Sequence, residues 1–181
     1  MIPLEETQNR ILATVPRLPT ATVALADALG LVTAEDLAAT EPIPPFANTG
    51  VDGYAVRAAD TAGATPDSPV RLRVVDELPA GKAPTVPVGA GEAIRIMTGA
   101  PAPEGADAIV MVEDTTAEDA GQFVAIGKEA NPGDHIRPAG GDLNVGDAAF
   151  PAGSVLGRPT LGSWPAWGSR RCRWCAGPGW R

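Results

Sequence analysis

Four residues in this chain have the types and settings that chemistry needs: Asp52, Thr98, Arg137 and Asp142. Asp52 is the only charged residue between Pro42 and Val56, in the stretch Pro44-Pro45-Phe46-Ala47-Asn48-Thr49-Gly50-Val51-Asp52-Gly53-Tyr54-Ala55. Paired prolines fix φ and withhold backbone donors, while Asn48, Gly50 and Gly53 tolerate turns, so this is a shaped loop. A single carboxylate held there can coordinate a metal or take a proton. Asp-Gly is also a strong hairpin-turn dipeptide whose carboxylate often serves only its own backbone. Thr98 stands where Met97-Thr98-Gly99-Ala100-Pro101-Ala102-Pro103 turns a corner. Its hydroxyl and the following amides can hold an oxyanion, or the corner can be a plain tight turn. In Ile136-Arg137-Pro138-Ala139-Gly140-Gly141-Asp142, the two glycines admit a ligand close to the backbone, Arg137 supplies a fixed cation and Asp142 a second isolated carboxylate.

The elements that must position these groups are mostly strands. Gly and Pro number 21 and 19 in 181 residues, which favours loops and short strands over long helices. With 44% apolar but only 4% aromatic residues, the core must be Val, Ile, Leu and Ala. Leu4, Ile11, Leu12, Val15 and Leu18 suit one face of a helix, opened near Pro3, with Glu5 and Glu6 at the positive end of its dipole and Pro16 and Pro19 ending it. Residues 23–38 read as a helical turn followed by a short extended segment, and Asp60 to Pro69 as a surface loop. Val70 to Leu78, Ala93 to Met97, Ala108 to Val112 and Gln122 to Ile126 are strand candidates bounded by Gly, Pro or Asp, the pattern of a small barrel-like or half-open β domain.

Net charge is −8, and its distribution is uneven. Residues 1–157 carry nine basic against 22 acidic residues, a net −13, while Arg158, Arg170, Arg171, Arg173 and Arg181 fall in the last stretch. So acidic a body disfavours nucleic acid and anionic lipid as partners. No apolar run approaches a membrane span and the start lacks a basic n-region, so a cytoplasmic protein is expected.

Three runs resemble, in order, motifs of the molybdopterin molybdenumtransferases, the MoeA and gephyrin E-domain family. The first matches Pro-x-Phe-x-Asn-Ser/Thr-x-x-Asp-Gly-Tyr-Ala. The second, Met97 to Val110, matches Met-Thr-Gly-Ala-x-x-Pro-x-Gly-x-Asp-x-Val-Val. The third, from Ile136 to Gly146, matches Ile-Arg-x-x-Gly-Glu-Asp-Ile-x-x-Gly, except that Gly141 stands where glutamate is usual. The resemblance covers about residues 1–157. It implies a mixed α/β, β-rich fold: an elongated N-terminal domain (1–43 and 133–157) with an inserted small β-barrel-like domain (44–132), assembled as a homodimer.

The activity so implied inserts molybdate into adenylylated molybdopterin in molybdenum cofactor biosynthesis, with Mg2+ helping to cleave the pyrophosphate. By motif position Asp52, Thr98 and Asp142 are the implied catalytic residues, Asn48, Thr49, Gly99 and Arg137 the implied substrate-binding ones, and Asp52 and Asp142 the implied metal ligands. Hard oxygen donors suit magnesium, and hydroxyls or amides suit molybdate oxygens.

Other features carry less. Glu113 and Asp114 read as a solvated strand end, the sole histidine, His135, as a surface turn, and Gly89-Ala90-Gly91 as a turn without a third glycine. Cys172 and Cys175 lack the second pair of a structural zinc site. All four tryptophans lie after residue 163, where the family's Leu- and Val-rich continuation gives way to Trp, Arg, Gly and Pro. Residues 158–181 are therefore expected to be an aberrant, disordered tail from a shifted reading frame, with the family's molybdopterin-binding third domain and its fourth domain missing and the chain inactive alone. A non-catalytic dimerisation or scaffold module, or a nonfunctional gene fragment, are the alternatives.

Overall fold

A computed structural model describes residues 2–16, 18–158 and 171–175, the last five as backbone only. The chain divides into two units, Met1–Glu41 with Asn144–Arg181, and Pro42–Leu143 set between them in sequence.

The first unit opens with helix α1 (Leu4–Thr14). Pro3 precedes it, Glu5 and Glu6 occupy its first turn, and Arg10 pairs with Glu6 at 2.6 Å. The helix forms where the apolar spacing placed it, but none of its residues is buried. The stretch after it is more extended than expected: β1 (Thr20–Ala24) comes first, then a 3-10 turn, then β2 (Val32–Thr33) and β3 (Leu37–Ala38). A small core gathers Ala28 and Leu156 with Val23, Leu25, Leu31, Leu37 and Phe150.

The second unit holds β4 (Asn48–Thr49), β5 (Gly53–Val56), β6 (Val70–Leu78), β7 (Glu92–Ile96), β8 (Ala108–Met111), β9 (Thr115–Glu118), β10 (Phe123–Ile126) and β11 (Ile136–Arg137). Six of these make one curled, half-open sheet in the order β8-β5-β7-β6-β10-β9, antiparallel except for β6 with β7. Parallel neighbours need a long crossover, and residues 79–91 supply it. Along β5, β7 and β8 both faces are buried. Tyr54, Val56, Leu72, Ala108, Val110, Val124 and Ile126 pack on one side; Ala55, Leu78, Ile94, Ile96 and Ile109 pack on the other. The unit is thus mostly β, with helix confined to short 3-10 turns among its described residues.

One boundary falls elsewhere than expected. Residues 133–143 belong with the β unit, not with the N-terminal one. Their backbone is tied there: β11 pairs with β4, the Gly133 amide donates to the Asp107 carbonyl, the Ile109 amide donates to the Asp134 carbonyl, and Ile136 packs beside the Ile94 and Ile96 cluster. Near the C-terminus β13 (Arg171–Cys175) lies between β1 and β2, with Ala24 opposite Arg171 and Trp174 opposite Thr33. The unpaired backbone groups of an edge strand accept such an addition readily. The side chains of Cys172 and Cys175 and the remainder of 159–181 lie outside the described residues. A twelfth strand in chain order, β12 (Ala148–Phe150), pairs with β3. No described helix is long and apolar enough to cross a membrane.

Candidate functional site

The three motifs meet around β4. Two residues of strand are too short to announce themselves in sequence, yet they join all three segments. Thr49 lies opposite Ile136 and Asn48 opposite Arg137 across β11. On the other side the Thr49 amide donates to the Ala100 carbonyl at 3.0 Å, and the Gly99 amide donates to the Thr49 carbonyl at 2.9 Å. The loop before β4, entered through a cis Ile43–Pro44 peptide, is held by the Gly140 amide donating to Pro44 and by the Asp142 and Leu143 amides donating to Ile43.

Asp52 and Thr98 come together directly. One carboxylate oxygen, Oδ1, accepts both the Thr98 backbone N–H and the Thr98 hydroxyl, each at 2.7 Å. The second oxygen accepts no hydrogen bond from the described residues. The hairpin reading of Asp52-Gly53 is thereby replaced: Gly53 begins a central strand, and the carboxylate bridges to a segment 46 residues away. Two Thr98 hydrogen bonds, the backbone one foremost, hold the Asp52 carboxyl below its ordinary value of 3.8; desolvation opposes them less strongly, and the charge of Arg95 adds the least.

A group that binds its proton more weakly when folded adds stability above its unfolded value of about 3.9 and loses it as pH falls through the lower folded value. Carboxyl 13C NMR should therefore find Asp52 titrating below 3.8, and Thr98→Val, which removes the hydroxyl bond alone, should move that midpoint back up. A midpoint unchanged by the substitution would contradict the clamp.

The Thr98-Gly99 corner is not an oxyanion hole. The amides of Thr98, Gly99 and Ala100 are spent on Asp52, on the Thr49 carbonyl and on the Met97 carbonyl. Gly99 is there for its backbone, with φ near +83°.

Arg137 and Asp142 are likewise not two isolated charges. The guanidinium Nη2 donates to both Asp142 oxygens, at 2.8 and 3.2 Å, in an exposed ion pair. Asn48 and Thr49 are 7% and 1% exposed. Their side chains bond to the loop itself: Thr49 Oγ1 donates to the Val51 carbonyl at 2.6 Å, and Asn48 Nδ2 to the Phe46 carbonyl at 3.3 Å. Burial and internal bonding make these two shapers of the loop that presents Asp52.

Arg95 and Tyr54 escaped notice in the sequence. They are cross-strand partners on β7 and β5. Arg95 Nη1 donates to the Tyr54 hydroxyl at 3.2 Å, and its guanidinium lies 5.4 Å from the ring centroid. The available signal was that Arg95 is the only charge in Ala93-Ile94-Arg95-Ile96-Met97.

The donor set for a divalent cation is sparse: among the described residues no three His, Cys, Asp or Glu side chains gather. A magnesium ion needs only one or two protein carboxylates when substrate phosphates complete its octahedron. Asp52, with one oxygen uncommitted, fits that requirement; Asp142, committed to Arg137, fits it less well. Two concavities of the β unit, about 230 and 20 Å³, are lined by other residues, the larger by Pro66, Pro69, Glu113 and Asp114.

Comparisons with known proteins bear on the family and the fold. A family model described as the MoeA N-terminal region (domain I and II) matches residues 2–168. A "Molybdopterin molybdenumtransferase 2" of Mycobacterium tuberculosis is 47% identical over 142 residues, 78% of this chain and 34% of the relative. A "Molybdopterin molybdenumtransferase" of Bacillus subtilis is 39% identical over 155 residues, covering 84% and 36%. The crystal structure of the molybdopterin biosynthesis moeA protein from Pyrococcus horikoshii OT3 superposes with a TM-score of 0.87 at 32% identity, over 96% of this chain and 46% of that one. The chain spans about a third of the length of the curated relatives it matches.

Proposed function

The chain belongs to the MoeA N-terminal region family, and from that membership we propose that it is the N-terminal, two-domain part of a molybdopterin molybdotransferase, which inserts molybdate into adenylylated molybdopterin. The observation that carries the reading is the Asp52 carboxylate, clamped on one oxygen by Thr98 and open on the other. An ionised, immobilised carboxylate with one uncommitted oxygen is suited to hold a metal or accept a proton where charge develops. Magnesium, when bound, supplies charge stabilisation to the phosphoryl group whose bond to the nucleotide breaks. Asp52 is the residue of this chain that would hold it, while Thr98 fixes the carboxylate's orientation and Asn48 and Thr49 fix the loop. Arg137 and Asp142, an exposed ion pair beside β4, hold each other and the loop that leads to it.

Because the chain spans 34% of the length of its Mycobacterium tuberculosis relative, the 181-residue polypeptide assayed alone is not expected to insert molybdenum. The test is substitution of Asp52 in a full-length context, read by molybdopterin-dependent molybdate insertion. The same Asp52 variant should leave folding intact, which separates a chemical role from a structural one.

A second reading, a module that pairs two copies of the chain, is favoured by α1. Leu4, Ile11 and Leu12, spaced to share one face, are 72%, 57% and 68% exposed. A second copy covering that stripe would account for the homodimer the family resemblance implies. Light scattering should find a dimer, and Leu4→Glu with Leu12→Glu should convert it to a monomer of unchanged helicity. A wild-type chain that is already monomeric at micromolar concentration would sink this reading.

A further inference from the structure

We propose that Arg95 is the guanidinium that takes the substrate's oxyanion beside Asp52, a role that rests on the molybdotransferase reading and deepens it. The corner amides around Thr98 are consumed within the protein, and Arg137 is neutralised by Asp142, so neither group first expected to meet an anion is uncommitted. Arg10, Arg57, Arg71, Arg73 and Arg137 each pair with a carboxylate. Arg95 does not: its described partner is a neutral phenol, Tyr54, which is itself 2% exposed.

The placement suits an anion. Arg95 is half-buried on a central strand, and its guanidinium is oriented by the Tyr54 ring and hydroxyl. That arrangement occupies Nη1 and leaves Nη2 and Nε without a protein acceptor among the described residues. An edge so pre-oriented can grip two oxygens of one tetrahedral oxyanion. Tyr54 lies opposite Arg95 and Gly53 opposite Ile96 across β5 and β7, and the next residue, Asp52, bonds to Thr98 just beyond β7, so Arg95 and Asp52 belong to the same end of one strand pair. A carboxylate and an anion repel, so a divalent cation on the open Asp52 oxygen and Arg95 on the anion form a mutually consistent set. The shared ligand chemistry is a tetrahedral oxyanion, either a phosphoryl group of a nucleotide-linked substrate or molybdate.

Isothermal titration of the 181-residue chain in Mg2+ buffer, with inorganic pyrophosphate in one arm and sodium molybdate in the other, tests this and identifies the source. At least one anion is expected to bind, with Arg95→Gln weakening it roughly 10- to 100-fold and Arg95→Lys, which keeps the charge but loses the fork, falling between. Binding of neither anion to the wild-type chain, or equal binding by wild type and Arg95→Gln, would overturn the proposal. Should circular dichroism show Arg95→Gln unfolded, Arg95→Lys decides, and wild-type affinity in that variant overturns it. Loss of insertion in Asp52→Asn with anion binding indifferent to Arg95 would remove this inference and leave the molybdotransferase reading standing. The opposite pattern would remove that reading and leave an Arg95 anion site.

Discussion

Gly53→Ala is expected to destabilise the β unit by about 3 kcal/mol or more, at the upper end of what overpacking costs. A Cβ built on Gly53 falls 2.0 Å from the Val110 carbonyl oxygen and 2.9 Å from its carbon. The obstacle is backbone of β8, not the end of a flexible side chain, and it cannot withdraw freely. Gly53 stands opposite Met111 on one side and Ile96 on the other, so moving either neighbour breaks the register of a central strand. For a unit of this size the loss corresponds to a melting temperature lowered by roughly 10 to 20 °C. Gly50→Ala is the internal control, because its Cβ would meet only the Arg137 stem at ordinary distances of 3.8 and 3.9 Å. Differential scanning calorimetry should separate the two variants widely; melting within a couple of degrees of each other would refute the argument.

Gly53 also shows what a single sequence conceals. Asp-Gly looks like a turn because both residues tolerate turns, and nothing local reveals that the glycine is needed because the neighbouring strand β8 passes against it. β6 was legible, since Val70, Leu72 and Val74 alternate with Arg71 and Arg73, and Leu72 is indeed the buried member. β7, β8 and β10 were legible as short apolar runs between turn residues. β9, Thr-Thr-Ala-Glu, was not, because an edge strand exposing polar side chains carries no hydrophobic period. β4 and β11, two residues each, exist only through their pairing and so have no sequence signature of their own.

The site was legible to the same depth. Asp52 and Thr98 could be singled out as an isolated carboxylate and a hydroxyl at a corner, but their mutual bond spans 46 residues. Which amides remain available to a ligand depends on every tertiary hydrogen bond around them. That is why the corner promised an oxyanion hole that the fold had already filled with Asp52 and the Thr49 carbonyl. The pairing of Arg137 with Asp142, five residues apart in a loop, follows from loop geometry that no helical or strand period encodes. Arg95 was overlooked because a lone charge on a strand ordinarily marks the solvent face. Here the opposing Tyr54 makes it half-buried and oriented.

Asp52→Asn should lower molybdate insertion by about a hundredfold or more in a full-length context, the scale lost with an acid-base or metal-holding group. Asparagine keeps the shape, and its carbonyl can still accept the Thr98 N–H and hydroxyl that now meet Oδ1. What changes is the second position, where an anionic acceptor becomes an amide donor that neither binds a hard cation nor takes a proton. The fold should therefore survive: the carboxylate is exposed, and its removal leaves no buried charge unpaired. Activity lost with melting temperature and oligomeric state preserved assigns the loss to chemistry. Activity within a few-fold of wild type would leave the chain with the family's fold and no chemical part for Asp52, and would shift weight to a pairing module built on α1.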